Sequence, residues 1–336
     1  MIYPAFLKEK DTIGVTAPSD GITKKADLYR LDSAIHHFEQ QVFFIKETQN
    51  VRNSTKGKSS SSIKQAKELE YLWKDKNIKM VFCASGGDFL LEMLSYLDFS
   101  ILKKNPKWIQ GFSDPTGILY IITTNLDVAT IYGNNFSSFG MNPWHQSLEN
   151  NLEILKGNLL IQHSFNKYEA EYTTRKIGDE PYQLTKKVYW KNLNQEEIQV
   201  TGRIIGGCLD ILNDLFGTRF DNTLKFIQKY KHDGIIWYFD ICEFSSEQII
   251  RTFWKLKDNG WFKYTKCIII GRIGKEVSYY DISYQEAIQH SLQELNIPII
   301  INADIGHVSP RMTIINGAIA TVSSKNGKGK IGFQLI

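Results

Sequence analysis

The chain has 336 residues, 42% hydrophobic, 12% aromatic and 23% charged, with a formal net charge of +4. That balance excludes a disordered chain, and the thinly spread positive charge lacks the basic stripe a nucleic-acid binder needs. No apolar run approaches the roughly 20 residues that cross a bilayer, and the opening MIYPAFLKEKDTIGV lacks the parts of a signal peptide, so a soluble cytoplasmic protein without membrane contact is expected.

In chain order, Thr12 to Ala17 is a β-branched run ending in Pro18-Ser19-Asp20-Gly21, which reads as a buried strand and a turn. Val42 to Ile45 reads as a second strand and Asn53 to Ser62 as a polar loop. A helix is expected over Ile63 to Asp75, with Ala66, Leu69, Leu72 and Trp73 on one stripe. Ile78 to Ala84 is the next strand, Ser85-Gly86-Gly87 a turn, and Asp88 to Leu97 an apolar helix. Trp108 to Phe112 is a strand, and Pro115 to Thr124 a helix with Asp114 as its N-cap. Strands alternating with helices predict a mostly parallel sheet whose ligands lie beyond the strands' carboxyl ends.

Leu148 to Leu193 is more polar and reads as a helix followed by a connecting or inserted region without a strong sheet signal. A second α/β series follows: QVTGRIIGG (199–207) as strand and turn, and Cys208 to Phe216 as a helix closed by Gly217. Gly234 to Ile241 is a buried strand, and Ser245 to Asn259 a helix with a capping box from Ser245 and Gln248. Cys267 to Gly271, Ile297 to Asn302 and Met312 to Val322 complete the series. The expected organisation is an N-terminal parallel-sheet α/β domain (1–160), a connecting region (161–200) and a smaller C-terminal α/β domain (201–336).

Cys83, Cys208, Cys242 and Cys267 are far apart in apolar stretches and read as buried reduced thiols; the histidines are equally scattered. Without CxxC, HxxxH or HxH, no metal site is expected. Ser113, between a strand and a helix, is on a sharp turn where its hydroxyl is exposed and nearby N–H groups can face a developing oxyanion. The sequence is not GxSxG, and capping a helix explains Ser113 and Asp114 as simply. Gly86-Gly87 closes the preceding strand as a possible second oxyanion donor or a plain turn. His307 follows IPIIIN, and Asp240 ends IIWYF with Glu243 three residues on. Ser113, His307 and Asp240 or Glu243 have the composition of a nucleophile, a base and an orienting acid.

Seven fragments in order resemble the LD-carboxypeptidase family, which includes muramoyl-tetrapeptide carboxypeptidases and microcin C immunity peptidases. They are Asp11-Thr12-Ile13-Gly14-Val15 with Ala17-Pro18-Ser19, Gly86-Gly87, Gly111-Phe112-Ser113-Asp114 with Thr116, Tyr132 to Phe136, Gly206 to Leu209 with Gly217-Thr218, Trp237 to Asp240, and Gly306-His307. The resemblance implies Ser113 as nucleophile, His307 as base, Asp240 as orienting acid, and the Gly87 and Asp114 amides as oxyanion hole. The family usually has Glu where Asp240 stands, so His307 must sit closer to the shorter acid or Glu243 must substitute.

The resemblance further implies two domains with the site between them, a homodimer, no metal or cofactor, and cleavage of the L-to-D amide that releases a terminal D-amino acid from wall tetrapeptides in peptidoglycan recycling. An arginine clamp for the substrate carboxylate is expected from Arg203, Arg272 or Arg311. One rival is a microcin C-type aminoacyl-adenylate amide hydrolase, with Trp144, Phe139 or Trp237 stacking on adenine. The other is a non-catalytic homologue that binds a peptide or nucleotide. The Tyr132–Gly140 turn reads as a pocket lining or a surface loop.

Overall fold

A computed structural model describes residues 1–170 and 176–336; the part of the expected connecting region at 171–175 lies outside the described residues. The chain forms two compact units, and each is discontinuous in sequence. The first comprises Met1–Leu160, Tyr172–Gln183 and Met312–Gly317; the second comprises Ile161–Glu171, Leu184–Arg311 and Ala318–Ile336.

The first unit carries a six-stranded sheet in the order Ile314–Asn316, Thr130–Tyr132, Trp108–Gly111, Ile78–Cys83, Thr12–Thr16, Phe44–Glu47. Its pairings are parallel except at the Ile314–Asn316 edge, which is antiparallel. Trp108–Gly111 is buried at every position and Ile78–Cys83 at all but one, as expected of parallel strands covered on both faces. The helix Ser62–Lys74 starts where Ser61 accepts the Lys64 amide, and it buries Ala66, Leu69, Leu72 and Trp73.

The second unit is an eight-stranded mixed sheet. Its parallel centre runs Glu197–Cys208, Ile235–Asp240, Thr265–Gly271, Ile299–Ala303. Ile319–Lys325, Lys328–Gln334 and Gln162–His163 extend one edge antiparallel, and Lys191–Asn192 closes the other. The helix Ser246–Asp258 begins with the expected reciprocal capping box between Ser245 and Gln248.

Several expectations are corrected. Asp88–Leu97 is not an α-helix; Leu90–Tyr96 is a 3-10 helix, in which Leu90 and Met93 eclipse three apart on the buried side. The Leu90 amide is captured by the Asp114 carboxylate at 2.9 Å, and Asp114 therefore does not cap its own helix, which runs Thr116–Leu126 from Pro115. Gly206-Gly207 is not a turn but the end of a twelve-residue strand. A Cβ on Gly206 would come within 1.8 Å of the Tyr238 carbonyl oxygen, so glycine lets the neighbouring strands close. The polar stretch after the helix Gln146–Leu155 contributes short edge strands, and Met312–Val322 divides between the two sheets. Among the described residues no helix is long and apolar enough to cross a membrane.

Candidate active site

In the first unit the Trp108–Gly111 strand ends two residues before Ser113, which takes φ +70°, the left-handed region that non-glycine residues avoid. The Thr116 amide then donates to the Ser113 carbonyl at 2.8 Å and starts the helix. This sharp strand-to-helix turn is braced from the Tyr132–Gly140 segment. Asn135 Oδ1 accepts from the Phe112 amide at 3.0 Å, and the Ser113 amide donates to the Tyr132 hydroxyl oxygen at 3.4 Å. That segment, read as pocket or surface, is thus a support for the serine turn.

Gly86 lies against the serine: a Cβ placed on it would be 3.3 Å from Ser113 Oγ. A Cβ on Gly87 would fall 2.2 Å from Ser19 Oγ. Ser19 in turn donates a short hydrogen bond to the buried Asp114 carboxylate. One carboxylate therefore ties together the first strand's turn, the Leu90 amide and the residue after Ser113. Burial raises the Asp114 pKa, and the Ser19 and Leu90 hydrogen bonds oppose the rise. Sequence reasoning missed Ser19 and Asn135; their only signal is a position in short family-like fragments.

In the second unit the Ile235–Asp240 strand ends on a fully buried carboxylate. Asp240 Oδ1 accepts from the His307 main-chain amide at 3.1 Å, and Oδ2 is 2.7 Å from His307 Nδ1. Burial acts to lower the imidazole pKa, but the Asp240 charge and hydrogen bond outweigh it and raise it from 6.5 to about 10. The loop carrying His307 is clamped on both sides. Arg272 pairs with the buried Asp304 at 2.6 Å, and the Arg311 guanidinium donates to the Gly306 and His307 carbonyls.

Arg203, by contrast, pairs with Asp233 at 2.7 Å. All three arginines considered as carboxylate clamps are thus committed to the fold of this unit. Glu243 is exposed, with its amide held by Asp210 at 3.0 Å, whereas the acid at the imidazole is Asp240.

Phe139 and Trp237 are fully buried, the first against Phe38 and Phe82, the second against Phe239 and Trp261, so neither stacks on a nucleotide. The half-buried Trp144 donates its indole N–H to the Phe139 carbonyl at 2.7 Å. Cys242 is exposed, unlike the other three cysteines. One thiol and one histidine that look far apart along the chain also converge: donor atoms of Cys208, Asp240 and His307 lie within 4.8 Å of one another. Cys208 faces Asp240 across adjacent parallel strands, a register the linear spacing does not reveal.

Two family models match in tandem: the LD-carboxypeptidase N-terminal domain over residues 13–133 and the LD-carboxypeptidase C-terminal domain over residues 201–322. The chain belongs to the LD-carboxypeptidase family. Ser113 falls within the first matched stretch, and Asp240 and His307 within the second. Among curated family relatives, the Bacillus subtilis protein named "Probable murein peptide carboxypeptidase" is 24% identical over 96% of this chain and 91% of its own. The Escherichia coli microcin C7 self-immunity protein MccF is 25% identical over 80% and 78%. Among solved structures, an MccF-like protein from Bacillus anthracis superposes with TM-score 0.84 at 26% identity, covering all of both chains.

Proposed function

We propose that the chain is a serine carboxypeptidase that hydrolyses the L-to-D amide bond of wall tetrapeptides and releases the terminal D-amino acid for peptidoglycan recycling. Ser113 is the nucleophile, His307 the general base and Asp240 the acid that orients it. The observation that carries this reading is the double grip of the buried Asp240 carboxylate on His307. A histidine kept only to fill a core has no need of a carboxylate at both its amide and its ring.

The chemistry follows from the residues. His307 takes the Ser113 proton as Oγ attacks the scissile carbonyl, and Asp240 stabilises the imidazolium so formed, which is the form its charge already favours. The Gly87 and Asp114 amides are the oxyanion donors in this scheme, set by the glycine turn packed against the serine. His307 returns the proton to the departing amine, and water repeats the cycle on the acyl-enzyme. The adenylate-hydrolase alternative loses two of its three stacking candidates to the cores, and the muropeptide reading stands first.

The test is D-alanine release from a disaccharide tetrapeptide by the purified protein beside Ser113→Ala, with an acyl-sulfamoyl adenylate as second substrate. Release by the parent and none by the variant supports the proposal. Hydrolysis of the adenylate alone moves the function to the alternative, and turnover of neither substrate overturns the carboxypeptidase reading.

A further inference from the structure

The second unit gathers an unusual set of donors at the end of its parallel strands. Cys208 Sγ, an Asp240 oxygen and a His307 ring nitrogen lie within 4.8 Å of one another. The Cys242 thiol lies near the same imidazole and helps to raise its pKa. Asp210 draws the two cysteines together: its carboxylate accepts from Cys208 Sγ at 3.5 Å and from the Cys242 amide at 3.2 Å. One sulfur, one imidazole and one carboxylate thus border one small volume.

A serine hydrolase triad needs only the last two of these groups. The Cys208 thiol adds a soft ligand, and sulfur, imidazole and carboxylate together suit zinc far better than magnesium or calcium, which take oxygen. Zinc bonds of about 2.0–2.3 Å set donors about 3.5 Å apart, so side-chain adjustments of about 1 Å close the present arrangement on an ion.

We propose that Cys208, Asp240 and His307 form an inhibitory site for zinc, which takes the imidazole and carboxylate out of catalysis when it binds. Binding releases the Cys208 thiol proton and any proton shared between His307 and Asp240. The inhibitory consequence rests on the reading of His307 as the base; the binding itself does not.

The experiment titrates chelator-stripped protein with Co2+ and follows the thiolate-to-cobalt charge-transfer band in the near ultraviolet. One equivalent should produce the band, zinc should displace it, and magnesium or calcium should not. Cys208→Ala should abolish the band and weaken zinc binding by tenfold or more. Should the buried Cys208→Ala protein fail to fold, His307→Ala asks the same question at a partly exposed position. Absence of the band in folded parent protein, or its survival in both variants, overturns the proposal. The band is read without substrate, so a failed carboxypeptidase assay leaves this test intact. Conversely, hydrolysis that persists with zinc bound refutes the inhibition alone.

Discussion

Asp240 holds His307 at two places with one carboxylate, the amide through Oδ1 and the ring through Oδ2. The short acid reaches both because the intervening residue is Gly306, at φ +90°, where a Cβ would fall 1.9 Å from Oδ1. The backbone of the histidine loop thus comes down onto the carboxylate. Nδ1 is thereby fixed toward the acid, and in the proposed mechanism Nε2 exchanges the proton.

Removing either side of that fit should be costly. Asp240→Asn should lower kcat about ten-thousand-fold, because it leaves the shape while favouring the wrong tautomer. Asp240→Glu should not restore the parent rate, since the extra methylene has no room beneath Gly306. Gly306→Ala should cost about 1–3 kcal/mol of stability through its left-handed backbone alone. Steady-state rates and urea unfolding of the three variants check this; a fully active Gly306→Ala would refute the packing argument.

The pH profile carries a sign. A base works only when unprotonated, so with the His307 pKa raised to about 10, kcat/KM should climb with pH through the alkaline range instead of levelling near neutrality. In Asp240→Asn the rising limb should move down toward the ordinary imidazole value, at a much lower maximum. The profile is measured with chelator in every buffer. A limb that stays in place in the variant would contradict Asp240 as the cause.

Ser113 sits in a left-handed conformation that costs an L-residue about 1 kcal/mol. Ser113→Gly should therefore unfold at a higher urea concentration than the parent while losing several orders of magnitude in activity. Ser113→Ala should lose the activity without the gain in stability. Equal midpoints for the glycine variant and the parent would mean the turn stores no such strain.

Ser19 and Asp114 should matter without touching substrate. Ser19→Ala strips a donor from a buried carboxylate and should cost about 1–3 kcal/mol. Asp114→Ala should cost more, since the Leu90 amide also loses its acceptor. Both should lower kcat by loosening the turn that presents Ser113. Chemical denaturation read beside kcat would expose an error if Ser19→Ala unfolded like the parent.

Much of this arrangement is legible locally. Strand ends at Gly111 and Asp240 follow from buried apolar runs, and the Ser245–Gln248 box follows from four residues of sequence. What local pattern misses is partnership across the chain. Asp114 looks like a helix cap because a cap needs only its neighbours, yet its hydroxyl partner is Ser19, ninety-five positions away. Gly206-Gly207 looks like a turn because only the adjacent strand, carrying Tyr238, explains the need for glycine. Cys208 looks isolated until the parallel register sets it opposite Asp240. Met312–Val322 reads as one apolar strand because nothing within it marks where one sheet ends and the other begins.

That last division bears on biosynthesis. The edge strand Ile314–Asn316 of the first sheet leaves the ribosome long after Thr130–Tyr132, the strand near the serine turn with which it pairs. Until it arrives, the nascent sheet carries an open hydrogen-bonding edge, the kind of surface that invites association with other chains. A fragment stopped after residue 160 would keep that edge permanently, so Ser113 and its braces cannot be isolated as an intact unit by a single cut.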